Sequence, residues 1–306
     1  MNQFRCRALA LFILLSIFGV CHVRADSYQS GQTFSVILPI AGKQVPLPEG
    51  EWIVAGYSLE TVKSSIDFGP YGIIHDLILL QVDGDTVNAF IQVHANALPV
   101  NDGWGISRDC QRRDGYATAI RYQSGWDVSC VFLVHTNSPA TNDSSRAWKD
   151  ALVYANEKGM AIPPTWITTG FRQANRRDIL DIRIAYNPQA RGISDDPTNS
   201  WADSPWHATR VQADRFRSQF LSDLTIWTMG YAAMVEEGIK NRLQETRPYH
   251  MPFNERETDE TQPAIVTERL KVLDRLRAEG LVGQSVYEAQ KEHILSGRSQ
   301  SIEYLE

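Results

Sequence analysis

Apolar residues alternate with polar ones over short stretches in the first half of the chain, and turn-forming residues separate these stretches. Between residues 34 and 58 the breaks fall at Pro39, Gly42, Pro46, Pro48 and Gly50. Short apolar runs bounded by proline and glycine are typical of strands joined by tight turns. This region is therefore predicted to form three short strands.

Two hairpins are predicted downstream of these strands. The runs HDLILLQV and VNAFIQVHA are separated by Asp83-Gly84-Asp85, and an Asp-Gly pair supports the positive backbone angles of a tight hairpin turn. Residues 116–122 and 128–136 form a similar pair around Gly125. Consecutive hairpins favour one antiparallel sheet over a parallel α/β unit.

The pattern becomes helical at Ser144–Lys158, where Gly159 follows as a stop. Residues 165–187 return to strands, with a turn predicted at residues 174–178. A long helix is predicted over residues 206–243, because an aromatic and apolar stripe recurs at spacings of three and four: Phe216, Phe220, Leu224, Trp227 and Tyr231. The stripe indicates a helix laid across the sheet, and a cofactor or lipid groove is the alternative.

Together these elements predict an α+β fold. The antiparallel sheet is expected from residues 34–136 and 165–187, backed by helices at 144–158 and 206–243. Residues 26–247 would form this main domain.

The C-terminal part of the chain predicts a separate helical unit. Residues 248–263 are polar, acidic and poor in aliphatic side chains, which is typical of a linker. Residues 264–306 carry apolar side chains at helical spacing on both sides of Gly280-Leu281-Val282-Gly283, which predicts a helical hairpin at about 265–297. A unit this small cannot bury a core of its own, so its leucines need a second surface, either on the main domain or on another copy.

This tail resembles the short C-terminal domain family, SHOCT. The family pattern is a leucine-bearing helix, a Gly-Leu-Ile-type turn, and a helix with an aromatic residue followed by lysine and a terminal Ile-Leu pair. The matching residues are Leu270, Leu273, Leu276, Gly280, Leu281, Val282, Tyr287, Lys291, Ile294 and Leu295. The chain departs from the family at Gly283-Gln284-Ser285, where a Thr or Ser cap followed by acidic residues is more usual. The resemblance implies oligomerisation or contact with a partner, and it carries no catalytic residues.

The N-terminal segment predicts export. Arg5 and Arg7 precede an uncharged apolar run from Ala8 to Val20, and a cleavage position follows Ala25, so residues 1–25 are interpreted as a bacterial signal peptide. A retained anchor is the alternative, although the run is shorter than the ~20 residues that a spanning helix needs. The expected location is periplasmic or secreted, with membrane association only if this segment is retained.

The charge of the chain argues against nucleic acid as a partner. The net charge is −6, and loss of residues 1–25 removes three arginines and no acidic residue, which makes it −9. Binding to phosphate backbones depends on concentrated lysine and arginine. No nucleic-acid partner is therefore expected.

Cys110 and Cys130 are the cysteines that remain after cleavage. Two lone cysteines on neighbouring strands in an oxidising compartment favour a disulfide. A zinc site would need further ligands, and His94 and His135 lack the paired spacing of zinc motifs. A free reactive thiol is the remaining alternative, but the sequence predicts a Cys110–Cys130 disulfide and no metal site.

Four arginines in two clusters are the candidate ligand-binding residues: Arg112, Arg113, Arg176 and Arg177. If the two clusters meet, their guanidinium groups could hold a carboxylate or phosphate group bidentately. The alternative is a set of local salt bridges that involves Asp114 and Asp178. The sequence leaves both readings of the arginine clusters open.

No catalytic residue and no cofactor are predicted. The chain lacks the GxSxG, P-loop, GxGxxG, HExxH and SxxK motifs. His75 beside Asp76 could form an oriented base, but a histidine before an apolar strand also fits a plain strand start.

Export, the missing motifs and the tail together predict a non-enzymatic envelope protein. It is expected to self-associate or to bind a protein partner through the C-terminal hairpin. The alternative is a hydrolase or ligand-binding enzyme that uses the arginine clusters on an anionic substrate.

Overall fold

The computed structural model describes residues 28–63, 70–137, 144–194, 201–244 and 284–296. It also describes seven helical residues before the last range, Thr267, Leu270, Lys271, Leu273, Asp274, Arg277 and Ala278. The predicted signal peptide at 1–25, the predicted linker at 248–263 and the predicted turn at 280–283 lie outside the described residues.

The order of the elements follows the sequence prediction: strands come first, and the long helix comes late in the chain. The strands are β1 (Thr33–Phe34), β2 (Ile37–Ile40), β3 (Lys43–Pro46), β4 (Trp52–Lys63), β5 (Pro70–Asp83), β6 (Thr86–Asn96), β7 (Ala117–Ser124), β8 (Asp127–Asn137), β9 (Thr165–Ala174) and β10 (Ile179–Tyr186). The α-helices are α1 (Arg146–Glu157), α2 (Arg215–Ile239) and α3 (Gln284–Ser296). Short 3-10 helices lie at Asp109–Gln111, Gln189–Arg191, Trp201–Asp203 and Val211–Ala213.

Eight strands form one antiparallel sheet in the order β1-β4-β5-β6-β10-β9-β8-β7, and β2 pairs with β3 as a separate hairpin. The predicted α+β class with an antiparallel sheet is confirmed. The turns predicted at Asp83-Gly84-Asp85 and Gly125 join β5 to β6 and β7 to β8. The sheet is completed by a long-range pair, β6 with β10, in which Val93 lies opposite Ile182.

One face of the sheet packs against α2. Leu224, Trp227 and Tyr231 of this helix are fully buried in the main apolar core, and the rings of Trp227 and Tyr231 stack with centroids 4.5 Å apart. The helix also packs on the β2–β3 hairpin, where Tyr231 donates a hydrogen bond to the Pro46 carbonyl. A Cβ at Gly238 would overlap the Gln44 carbonyl, so glycine lets the helix and hairpin come together.

The opposite face packs against α1. The helix begins after Ser145, whose hydroxyl accepts a hydrogen bond from the Trp148 backbone. Trp148 meets Phe90 edge to face at 4.7 Å. A Cβ at Gly56 of β4 would overlap the backbone of α1 at Ala147. The close approach of α1 to the sheet therefore depends on a glycine in β4.

The predicted helix at 206–243 is wrong at its N-terminal end. Asp214 caps α2, because its carboxylate accepts hydrogen bonds from the backbone of the first turn. Trp206 is buried before the helix begins. Phe216 is 66% exposed, so the buried stripe starts at Phe220. The prediction extended across an irregular segment, residues 206–214, in which Trp206 and Val211 are buried.

The predicted disulfide between Cys110 and Cys130 is present, with the two Cα atoms 5.8 Å apart. It joins the segment before β7 to the middle of β8. An intramolecular disulfide is compatible with export to an oxidising compartment. In the part of the chain that the structure describes, no helix has the length and apolar composition that a membrane crossing requires.

Replacing both Cys110 and Cys130 with alanine should lower the free energy of unfolding by ~3 kcal/mol, because the closed loop no longer restricts the unfolded chain. Alanine is chosen because both positions are buried. Urea denaturation of the mature chain measures the loss, and the unmodified chain under reducing conditions is the control. Equal unfolding midpoints for the oxidised and alanine forms would contradict the expectation.

Candidate functional site

The first predicted arginine cluster follows the 3-10 helix Asp109–Gln111. Arg112 donates two hydrogen bonds to the carboxylate of Asp114, at 2.8 and 2.9 Å. The hydrogen bond to Asp114 raises the pKa of Arg112, and the same contact lowers the pKa of Asp114. Arg113 is exposed. The bidentate fork of Arg112 is therefore already occupied by a neighbour in the chain.

The second cluster lies in the β9–β10 turn, where Arg176 and Arg177 are both exposed. Asn175 shapes the turn, because its side-chain oxygen accepts hydrogen bonds from the backbone of Arg177 and of Asp178. Arg176 Nε donates to the Asn101 carbonyl at 3.1 Å. Arg112 and Arg176 thus have different partners, and anion binding by the four arginines stays a prediction.

The alternative predicted from the sequence, a set of local salt bridges, is correct for Asp114 but not for Asp178. Arg112 pairs with Asp114 as that alternative expects, whereas Asp178 pairs with Lys43 of the β2–β3 hairpin at 3.2 Å. Burial lowers the pKa of Lys43, although Asp178 acts in the opposite direction. Ala41 and Gly42 have φ values of 48° and 72°, and two positive φ values make a tight hairpin turn. That turn directs Lys43 back toward the sheet.

A buried arginine outside the four candidate site residues holds the loop between β6 and β7. This loop, residues 97–116, is called the covering loop. Arg172 of β9 donates to the carbonyls of Trp104 and Gly105, both at 2.9 Å, and to Asp181 Oδ2 at 2.6 Å. Trp104 and Ile106 of the loop pack on apolar residues at the sheet end. All three guanidinium nitrogens of Arg172 donate hydrogen bonds. The role of Arg172 is therefore to position this loop.

Two further contacts fix the covering loop to the sheet. Arg183 of β10 forms an ion pair with Asp109 at 2.8 Å, and Cys110 is bonded to Cys130. Asp109 and Cys110 are neighbours, so an ion pair and a covalent bond act at one point of the loop. The loop is consequently a fixed part of the sheet surface.

Asp76 forms a buried polar pair with His94 rather than with His75. Consecutive strand residues point to opposite faces, so His75 lies on the other side, where its Nδ1 is 3.0 Å from the Tyr57 hydroxyl. His94 stands opposite Asp76 on β6, with His94 Nε2 3.2 Å from Asp76 Oδ1. The sequence missed this pair because the partner lies on a neighbouring strand.

Asp76 is 1% exposed, and its surroundings keep it ionised. Burial alone would raise its pKa. The hydrogen bond and charge of His94, with hydrogen bonds from Ser145 and Gln92, outweigh burial and hold the pKa below its ordinary value of 3.8. Among the described residues, no serine, threonine or cysteine hydroxyl or thiol is hydrogen-bonded to His94. This geometry fits a structural pair better than an activated nucleophile.

Metal binding was assessed over the same ranges. No group of three or more histidine, cysteine, aspartate or glutamate side chains within the described ranges could hold a metal ion. Comparison of the chain with family models, with curated proteins and with solved structures found no match. Function has to be inferred from the side chains and surfaces themselves.

Replacing Asp76 with asparagine should destabilise the protein by about 1–3 kcal/mol near neutral pH, because His94 and Gln92 lose a charged acceptor. The pKa of Asp76 is lower in the folded state, so its stabilisation is present above pH 3.8 and is lost as the pH falls through the folded-state pKa. The difference between the two proteins should therefore shrink in acid.

Urea denaturation from neutral pH down to acidic pH measures this difference. Asp150→Asn, on the exposed face of α1, is the control for the removal of one carboxylate. A difference between Asp76→Asn and the unmodified chain that stays constant throughout the acidic range would contradict the expectation.

Proposed function

We propose that this protein is an exported, non-enzymatic binding or assembly module of the bacterial envelope, which assembles through its C-terminal tail. The Cys110–Cys130 disulfide and the N-terminal sequence support a periplasmic or secreted location. The non-enzymatic part of the proposal is supported by the lack of catalytic motifs in the sequence. The observation that carries the proposal is the small apolar contact between the tail and α2.

Three tail residues are buried together with one residue of the long helix. Leu273, Tyr287 and Ile294 form an apolar cluster with Ile226 of α2, and Leu270 packs against it. The four members of the cluster, Leu273, Tyr287, Ile294 and Ile226, are 1–7% exposed. The resemblance to the SHOCT family supports the use of this apolar surface for assembly.

Tyr287 organises the tail. Its hydroxyl donates to Asp274 Oδ1 at 2.6 Å. The guanidinium of Arg277 lies 4.4 Å from the ring centroid, and Lys291 Nζ lies 5.6 Å from it. The hydrogen bond to Asp274 and the cation–π contact of Arg277 join α3 to the helical residues before it, while the Lys291 contact lies within α3. The tail can therefore present a defined surface.

The contact with the main domain is small. Within the described residues, Ile226 is the main-domain member of the cluster, and the other members belong to the tail. An apolar contact of this size contributes little compared with the core beneath α2. The same helix surface on a second copy offers the same Ile226, so exchange of the tail between copies costs little in contacts. This exchange is the proposed route to assembly.

The first experiment compares the mature chain, from Asp26, with a form that ends before residue 262. Light scattering coupled to size exclusion should give a defined oligomer for the longer form and a monomer for the shorter one. The melting temperature of the main domain should be nearly unchanged, because its core does not include the tail. Two monomers would overturn the proposal.

A point variant tests the surface without removing the tail. Tyr287→Ala should shift the oligomer toward monomer, because it removes the buried ring and its hydrogen bond. Leu295→Ala is the matched control on the same helix, since Leu295 is 59% exposed and should leave the mass unchanged. Equal masses for Tyr287→Ala and the unmodified chain would show that the cluster does not hold copies together.

The alternative function is a hydrolase or ligand-binding enzyme that acts on an anionic substrate at the arginine clusters. It predicts that phosphate or carboxylate ligands raise the melting temperature and that Arg176→Ala with Arg177→Ala abolishes the effect. Thermal melts over a panel of such anions test it. It is the weaker candidate because Arg112 already donates two hydrogen bonds to Asp114, which occupies its bidentate fork.

A further inference from the structure

A groove lies between the β2–β3 hairpin and the C-terminal half of α2. Its volume is about 410 Å³, within the range of roughly 300–1,000 Å³ that is usual for small-molecule sites. The walls are apolar and come from both elements: Val36, Ile37, Pro46, Leu47, Ala233 and Met234. The groove is separate from the arginine clusters and from the contact between Ile226 and the tail.

The walls combine a fixed floor with partly exposed sides. Leu47 is 1% exposed, whereas Ile37, Ala233 and Met234 are only half-buried. Methionine adapts its shape to irregular apolar partners. A concave surface of this kind favours a flexible apolar chain.

Glu237 and Arg242 line one end of the groove, and Lys240 pairs with Glu237 beside it. Glu237 Oε1 accepts hydrogen bonds from Lys240 and from Arg242, both at 3.0 Å. Two cations on one carboxylate leave a net charge of +1. The same contacts lower the pKa of Glu237, so this carboxylate is ionised at neutral pH.

Arg242 is the cation that lines the groove. Its side chain donates to Glu237 through Nη2, which holds the guanidinium in place. A guanidinium has five N–H donors in a planar fork, and the Arg242 side chain is 58% exposed. It can therefore donate to a second carboxylate while it keeps Glu237.

We propose that this groove binds a free medium-chain fatty acid. The acyl chain lies along the walls formed by Ile37 and Met234, and the carboxylate accepts hydrogen bonds from Arg242. Apolar burial supplies affinity for any such chain, while the charge at the end of the groove selects an anionic head group.

Titration calorimetry of the mature chain with sodium decanoate, below its micelle concentration, tests the proposal. Decanol and decyltrimethylammonium carry the same chain with a neutral and a cationic head. Decanoate should bind most tightly, decanol more weakly, and the cationic compound most weakly. Acetate, which has the head group alone, should give no measurable binding.

Three variants separate the head-group contact from the chain contact. Arg242→Gln should weaken decanoate binding by about tenfold or more, the usual effect of losing a charged hydrogen bond, and should leave decanol unchanged. Arg210→Gln is the matched control, because Arg210 is equally exposed and pairs with Asp203 at 3.0 Å. Ala233→Leu fills the groove with a residue that suits a helix, so it should abolish binding of both compounds.

The proposal fails if the folded chain gives no binding heat with millimolar decanoate. It also fails if the cationic compound binds as well as decanoate, or if Arg242→Gln and Arg210→Gln behave alike. Binding to anionic lipid vesicles without binding to decanoate would assign this face to a membrane surface and would overturn the fatty-acid site. Circular dichroism of each variant confirms that the chain remains folded.

Discussion

The rest of the structure depends on the pairing of β6 with β10. Without this pair the sheet would be two separate sheets, β1-β4-β5-β6 and β10-β9-β8-β7. Asn96, buried at the end of β6, supports this pairing. Its amide nitrogen donates to the carbonyls of Leu98 and Arg177, and its oxygen accepts from the Ile179 backbone at 2.8 Å. A slip of one residue would turn every side chain to the other face, so the buried apolar residues set the register and the Asn96 bonds support it at the end of β6.

That register aligns a row of polar side chains across the sheet. Residues that stand opposite one another in turn are Asp76, His94, Asp181, Arg172 and Cys130. Asp76 contacts His94, and Asp181 contacts Arg172, so each carboxylate in the row has a hydrogen-bonding partner. Buried polar groups are stable only when their partners are present. The row therefore supports the sheet and anchors the covering loop.

Sequence reasoning succeeded where structure is local. The Asp-Gly turn between β5 and β6 and the disulfide both follow from nearby residues. It could not find the Lys43–Asp178 pair or the Asp76–His94 pair, because each depends on strands that meet only in the folded sheet. It also extended α2 back to Trp206, since periodic spacing does not register that Asp214 satisfies the first turn of the helix. The sequence pattern did not contain the long-range strand register or the position of the helix cap.

The helix α2 presents three different surfaces, and its attachment to the sheet keeps two of them independent. Ile226 meets the tail, whereas Ala233 and Met234, about two turns further along, line the groove. Between helix and sheet, Glu236 accepts hydrogen bonds from Arg121 at 2.6 Å and from Ser129 at 2.9 Å. These bonds and the Trp227–Tyr231 core hold the helix on the sheet between the two surfaces. Assembly and ligand binding on this helix should therefore be separable properties of one rigid element.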